Sequence, residues 1–176
     1  MRNLIFAINL TIDGCCDHTK GIVDEEMLEY HTQLVQDADL FVYGRKTYQL
    51  MVPYWLDIAK NHSGQTEAGN RFAQAFDSMD KAEGKNTEIV RTNLKDEILK
   101  LKQEQGKSIL TGGADIPSQL IQLGVVDEYH IVVHPVIAGK GRRLLEGISL
   151  PEKFQLQLAG SKIFKSGSVA LHYLKQ

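Results

Sequence analysis

The sequence has few cysteines and no long apolar run. Its two cysteines, Cys15 and Cys16, are adjacent, so they cannot form an ordinary disulfide with each other. No disulfide within the chain is therefore available to hold a secreted fold together, and we expect a protein of the reducing cytoplasm. Metal sites usually space their cysteines about two to four residues apart. The pair is therefore interpreted as two small residues of a loop.

Membrane and nucleic-acid functions are also disfavoured by what is missing. No apolar stretch approaches the roughly 20 residues that a membrane-spanning helix needs. Residues 1–10 contain an apolar run that Asn9 interrupts, and no small-residue cleavage site follows, which is typical of a buried first strand rather than a signal peptide. The net charge is −2 and the charged residues are dispersed, so no basic stripe is present to bind a phosphate backbone.

The length and periodicity of the chain predict one α/β domain over residues 1–176. Strand and helix patterns alternate, with Asp24 as a helix N-cap and Gly106 as a C′ glycine that closes a charged helix. The predicted strands cover residues 4–10, 40–43, 108–111 and 129–137, the helices cover 24–36, 47–56, 94–105 and 116–123, and a closing hairpin covers 154–158 and 162–174. We expect residues 61–69 to form a surface loop. The pattern predicts a mixed sheet, mostly parallel with an antiparallel C-terminal hairpin and with helices on both faces.

Two glycine-containing loops follow predicted strands and precede predicted helices. The first is Gly44-Arg45-Lys46-Thr47, and the second is Thr111-Gly112-Gly113-Ala114. Glycine lets a ligand approach the backbone, and the N–H groups at a helix start favour an anion such as a phosphate. Either loop alone could be an ordinary turn. Two of them at the same ends of strands in one sheet favour a nucleotide site in the crevice there.

Three further features leave alternatives open. Asp13-Gly14 is either a turn or a substrate-binding acid at the end of the first strand. The basic loop at residues 139–143 is either a phosphate contact or, slightly favoured, a solvated surface loop. His130 and His134 share a strand face but lie about 13 Å apart at the usual strand rise, too far to bind one metal together. No metal site is predicted.

Several motifs occur in an ordered series along nearly the whole chain. They are residues 11–14 (Thr-Ile-Asp-Gly), 43–48 (Tyr-Gly-Arg-Lys-Thr-Tyr), 111–114 (Thr-Gly-Gly-Ala), 123–129, 134–141 and 164–171. Their order and spacing resemble the dihydrofolate-reductase-like proteins related to the C-terminal reductase domain of the riboflavin-biosynthesis deaminase-reductase. The resemblance implies that fold, NADPH as the hydride donor, and a homodimer.

The resemblance also implies roles for individual residues. Asp13 would face the substrate as the catalytic residue, and Ala7 would lie near the nicotinamide. Together with the loops described above, the candidate cofactor-binding residues are Ala7, Gly44, Arg45, Lys46, Thr47, Thr111, Gly112, Gly113, Ala114 and Gly139.

The chain departs from the family pattern at two places. A strand ending in a Ser-Arg-Thr-like segment usually precedes the strand at residues 88–90, but residues 78–84 pass straight across that place. Its loss would weaken cofactor binding and the preference for NADPH over NADH. Where dihydrofolate reductases place a pterin-binding acid, ungapped counting finds Leu28, and Glu29 would point elsewhere on the helix. Folate reduction is therefore disfavoured.

The leading hypothesis is an NADPH-dependent reductase of a small heterocyclic substrate, pteridine-like or pyrimidine-like, similar to a 5-amino-6-(5-phosphoribosylamino)uracil reductase. Asp13 would orient or protonate the acceptor. The alternative is a nucleotide-binding or interaction domain that kept the fold and lost turnover, because fold does not imply function. A third possibility is a structural dimer whose crevice is unused.

Overall fold

A computed structural model describes residues 1–79, 93–150 and 153–176. The predicted strand at 88–90 and most of the segment at 78–84 lie outside the described residues. The strands are β1 (Leu4–Thr11), β2 (Ala38–Val42), β3 (Ser108–Gly112), β4 (Glu128–His134), β5 (Leu156–Ile163) and β6 (Val169–Lys175). The helices are a 3₁₀ turn (His18–Lys20), α1 (Glu25–Gln36), α2 (Arg45–Asn61), α3 (Glu67–Ser78), α4 (Leu94–Gln103) and α5 (Asp115–Gln122).

The strands form a six-stranded mixed sheet in the order β2-β3-β1-β4-β6-β5, flanked by helices. The sheet is mostly parallel and ends in an antiparallel C-terminal hairpin, which confirms the predicted fold class. The chain contains two compact units: Met1–Arg2 with Val23–Leu110, and Asn3–Ile22 with Thr111–Gln176. The interpretation of residues 1–176 as a single domain stays a prediction. No helix among the described residues is long and apolar enough to cross a bilayer.

In the second unit, β1 is the hydrophobic centre. It pairs in parallel with β4, and β4 pairs antiparallel with β6. Phe6 of β1 is fully buried and meets its register partner Tyr129 edge-on, with ring centroids 6.2 Å apart. Because side chains alternate across a strand, the next residue, Ala7, lies on the opposite face of the sheet.

In the first unit, aromatic side chains of α2 and α3 pack together. The Trp55 ring meets Phe72 at a centroid distance of 4.5 Å, and Phe72 stacks on Phe76 at 6.0 Å. Helix α1 begins as predicted, because the Asp24 carboxylate accepts a 2.7 Å hydrogen bond from the N–H of Met27. These contacts make Trp55 part of the aromatic core of this unit.

Several element boundaries differ from the sequence-based predictions. Helix α2 continues past residue 56, with Pro53 inside it, and α3 begins at Glu67 within the predicted loop at 61–69. The side chain of Thr66 caps α3 by accepting from the N–H of Gly69, so this polar segment is a helix start. Strand β4 ends at His134 because the next residue, Pro135, has no N–H to donate.

The hairpin and the end of α4 also shift. Residues 162 and 163 belong to β5, and the second strand of the hairpin begins only at Val169, after a turn at Gly167 with φ +82°. Helix α4 ends at Gln103 and is capped by Glu104, so Gly106, with φ +154°, lies one residue beyond the C′ position that was predicted for it. The sequence pattern located both elements but missed the residue at which each one stops.

Candidate functional site

The first predicted phosphate loop is the start of α2 in the first unit. Gly44 is the N-cap residue, and no side chain makes a capping hydrogen bond there. Arg45 and Lys46 are exposed, and Thr47 is half-buried. The first N–H groups of a helix have no partner within the helix, so this end presents free donors beside two cations. Such a helix start fits a phosphate group.

The second predicted phosphate loop is the start of α5. Thr111 is fully buried in β3, and Gly112 ends that strand. Gly113 has φ +86°, a left-handed conformation that favours glycine. Ala114 is the N-cap residue, and here too no side chain makes a capping hydrogen bond. Backbone N–H groups therefore face outward at this helix start as well.

Side-chain caps distinguish these two helices from the others in the described part of the chain. The 3₁₀ turn is capped by Asp17, α1 by Asp24, α3 by Thr66 and α4 by Asn93. A side-chain oxygen at the N-cap satisfies one of the orphan N–H donors. Among the described helices, only α2 and α5 lack a hydrogen bond from a side-chain N-cap, and they follow the two glycine loops predicted from the sequence.

Asp13 follows β1 and is held by hydrogen bonds on both carboxylate oxygens. Oδ1 accepts from the Thr11 hydroxyl at 2.6 Å and from the N–H of Ala138 at 3.0 Å, and Oδ2 accepts from the N–H of Gly139 at 2.9 Å. The Thr11 hydroxyl and then the Ala138 N–H lower the pKa of Asp13 to about 2. The carboxylate is thus ionised at neutral pH and suits an orienting role rather than proton donation.

The loop at residues 139–143 is tied to the same region of the second unit. Arg143 Nε donates to the backbone oxygen of Asp13 at 2.9 Å, and Arg142 forms an ion pair with Asp115 in the first turn of α5. Gly139 has φ +71°. The structure therefore brings Asp13 and Gly139 together and joins their loop to the start of α5. Arg142 and Arg143 thus contact carboxylates of their own unit, and the choice between a phosphate contact and a solvated loop stays a prediction.

The remaining predicted residues are placed separately. Ala7 lies in the middle of β1, half-buried, with His130 as its register partner on β4. The four residues of the first phosphate loop belong to the first unit, whereas the other candidate residues belong to the second. Glu29 forms a 2.9 Å ion pair with Arg71 of α3, and its exclusion from a pterin-binding role stays a prediction.

Two histidines of β4 have different surroundings. His134 is buried, and its Nδ1 lies 3.1 Å from both the N–H of Ile22 and the Ser168 hydroxyl, so its contacts are structural. His130, in contrast, lies beside Glu128 and His172. The spacing of residues along the chain predicted no metal site, because His172 is remote in sequence from the other two residues. Only the pairing of β4 with β6 brings it close.

The hydrogen bonds of Asp13 predict a pH-dependent stability. Its pKa is lower in the folded chain than its ordinary value of 3.8, so its contribution is complete above about pH 4–5 and is lost as the pH falls toward 2. We expect Asp13→Asn to lower the melting temperature at pH 7 and to lower it progressively less below pH 4. Thermal unfolding of both proteins across this range measures the difference. A difference in melting temperature between the two proteins that stays constant with pH would show that the carboxylate charge does not stabilise the fold.

Comparisons with known proteins identify the family. The model of the RibD C-terminal domain matches residues 2–170. The chain belongs to this family. The uncharacterized protein YyaP of Bacillus subtilis is 29% identical, with 98% of this chain and 94% of that protein covered. The uncharacterized protein YwjB of the same organism is 25% identical, with 99% and 98% covered. The family resemblance inferred from the motifs is confirmed.

Solved structures share the fold. A pyrimidine reductase-like protein from Corynebacterium diphtheriae superposes with a TM-score of 0.69 at 15% identity, covering 99% of this chain and 92% of that one. The riboflavin biosynthesis reductase Rib7 of Saccharomyces cerevisiae gives 0.61 at 14% identity, covering 99% and 90%. The deaminase/reductase of Thermotoga maritima gives 0.65 at 16%, covering 99% of this chain but 57% of that one. At these identities the likeness establishes the fold of this RibD-type chain.

Proposed function

We propose that the protein is an NADPH-dependent reductase of a small heterocyclic substrate, pteridine-like or pyrimidine-like. The observation that carries the proposal is a helix start in each unit that follows a glycine loop and lacks a side-chain cap: α2 in the first unit and α5 in the second. Membership of the RibD C-terminal domain family supports it, as do the reductases among the proteins of the same fold. NADPH, when bound, would supply the hydride.

The chain's own residues would bind the cofactor and orient the substrate. In the first unit the N–H groups at the start of α2 would suit a phosphate; in the second unit those at the start of α5 would do the same, and Gly113 would let a phosphate approach the backbone there. Exposed Arg45 and Lys46 would pair with the additional phosphate that distinguishes NADPH from NADH. Ionised Asp13 would accept a hydrogen bond from the substrate and fix its orientation, since two backbone N–H groups already hold its carboxylate rigidly.

Direct titration tests the cofactor. We expect NADPH to bind at micromolar concentration, to quench the fluorescence of Trp55 and to raise the melting temperature as its concentration rises, because a ligand that binds only the folded state stabilises it. NADH should bind more weakly. If neither nucleotide binds, the reductase proposal and the idea of a nucleotide-binding domain without turnover both fail. If NADPH binds but no pteridine or pyrimidine oxidises it, the second idea replaces the first.

A pair of lysine substitutions in α2 locates the phosphate contact. Lys46 is in the first turn and Lys60 is in the last turn, and both are exposed. We expect Lys46→Gln to weaken NADPH binding roughly 10-fold, the effect of losing one charge-assisted hydrogen bond. Lys60→Gln makes the same change in charge at the opposite end of the helix and should leave the Kd for NADPH within about twofold, since exposed charges far from a ligand are screened. Equal changes in the Kd for NADPH in the two variants would mean that the start of α2 does not bind the cofactor.

The family resemblance also implies an assembly. We propose a homodimer in solution, and sedimentation velocity at micromolar protein concentration tests it. A monomer across that range would overturn the proposed homodimer.

A further inference from the structure

Three ligating side chains occupy one face of the sheet in the second unit. Glu128 and His130 are two residues apart on β4 and so point to the same side. His172 on β6 is the direct register partner of His130. The two imidazole rings stack with centroids 4.2 Å apart and planes inclined by 16°. The pairing of two strands therefore assembles a carboxylate and two imidazoles from distant parts of the sequence.

The ligand atoms are close enough to share one ion. Glu128 Oε2 lies 3.1 Å from His172 Nε2 and 3.7 Å from His130 Nε2. One ligand atom from each side chain lies within 4.8 Å of the others. Around a tetrahedral zinc ion with bonds of about 2.0–2.1 Å, ligand atoms are roughly 3.4 Å apart. The His172 side chain is 31% exposed and so has room to rotate slightly, which would bring the ligand atoms to this spacing.

A further side chain orients the carboxylate. Asn3 Nδ2 donates to Glu128 Oε1 at 2.7 Å, which leaves Oε2 directed at both imidazoles. Ligating carboxylates are commonly fixed by such an outer hydrogen bond. The His130 side chain is 9% exposed and that of His172 is 31% exposed, so solvent reaches the His172 side of the group. Three protein ligands with one open side are typical of a metal site that keeps a coordination position for water.

We propose that Glu128, His130 and His172 bind one divalent transition-metal ion, with Zn²⁺ as the best match to two imidazoles and one carboxylate. The bound ion would connect β4 to β6. Ala7 shares this face because it is the β1 register partner of His130. The ion would therefore adjoin the position where we expect the nicotinamide. The Zn²⁺ titration can nevertheless be made without NADPH, because none of the three ligands belongs to the cofactor loops.

A calorimetric titration of the chelator-treated full chain with Zn²⁺ tests the proposal. We expect one equivalent to bind and to raise the melting temperature. Glu128→Gln and His172→Gln should each raise the Kd for Zn²⁺ roughly 100-fold. Losing a residue that only hydrogen-bonds to a ligand already costs about 10–100-fold, so losing a ligand itself should cost at least the upper value. Co²⁺ should give visible absorption bands that both substitutions abolish. Mg²⁺, which prefers oxygen ligands in octahedral geometry, should not bind.

The controls separate this site from incidental binding. His62 Nε2 also lies 4.0 Å from a carboxylate, that of Glu67, but both side chains are more than half exposed, and the described part of the chain offers them no third ligand. His62→Gln should leave the Zn²⁺ titration unchanged. Should His172→Gln fail to fold, Asn3→Ala keeps all three ligands and should weaken Zn²⁺ binding roughly 10-fold. Absence of Zn²⁺ binding by the wild type, or binding that survives both ligand substitutions, overturns the proposal.

Discussion

Replacing Asp13 by asparagine is expected to lower kcat roughly 100-fold, within the range seen when a preorganised charged or hydrogen-bonding group is lost. The carboxylate has a pKa of about 2 and is therefore ionised when the enzyme works. Both of its oxygens accept from backbone N–H groups, at Ala138 and Gly139. Asparagine has one acceptor oxygen and presents an NH₂ group to the second of these donors. The charge and the fixed geometry offered to a substrate are lost together.

The affinity for NADPH distinguishes an effect on substrate from an effect on the cofactor. We expect the Kd for NADPH of Asp13→Asn to stay within about threefold of wild type, because the charge-assisted phosphate contacts proposed at α2 and α5 are intact. The assay follows NADPH oxidation with the first active compound from a pteridine and pyrimidine panel that includes 5-amino-6-(5-phosphoribosylamino)uracil. Equal losses of turnover and affinity would mean that Asp13 serves only to hold Gly139 in place.

A matched substitution tests whether the effect is specific to position 13. Asp17 lies in the same segment, and its carboxylate also accepts from nearby donors, in this case the backbone and hydroxyl of Thr19. Its hydrogen bonds also lower its pKa. Asp17→Asn should therefore alter kcat by less than about twofold while making the same chemical change. A comparable loss of kcat in both variants would indicate a general disturbance of the loop after β1.

Local signals in the sequence predicted much of the fold and the phosphate loops. Asp24 marked the start of α1 because its side chain accepts from the N–H of Met27. Glycines after β2 and β3 marked the starts of α2 and α5, where the structure shows no side-chain caps. Each of these features depends on residues within a few positions of one another. Sequence periodicity and capping chemistry carry that information directly.

Features that depend on tertiary contacts were not predictable in the same way. Thr66 was interpreted as part of a loop, yet it caps α3. The Thr11 hydroxyl, which lowers the pKa of Asp13 most, is two residues away, but the other donors, at Ala138 and Gly139, lie more than a hundred residues away and had no local signal. His172 joins His130 only through strand pairing. Register between β4 and β6 depends on the whole hairpin, and a shift by one residue would place His172 on the opposite face.

Phe6→Ala is expected to reduce the free energy of unfolding by about 3–5 kcal/mol, the usual cost of removing a buried phenyl ring. Phe6 is fully buried, and its ring meets Tyr129 edge-on across the pairing of β1 with β4. Alanine would lose both this contact and the transfer free energy of the ring, and it would leave a cavity in a close-packed core. At roughly 2–4 °C per kcal/mol for a chain of this size, the melting temperature should fall by about 6–20 °C.

Denaturant unfolding of Phe6→Ala beside two other variants measures this effect. Phe6→Leu keeps much of the apolar volume and should lose less than half as much stability as alanine. Ile163→Ala removes an apolar side chain that is 76% exposed and should change the free energy of unfolding by less than about 0.5 kcal/mol. A loss for Phe6→Ala as small as that for Ile163→Ala would mean that β1 is not the packed centre of its unit. Strand β1 also pairs with β4 and places Ala7 opposite His130. Without tight packing of β1, this register would lose the contact that stabilises it most.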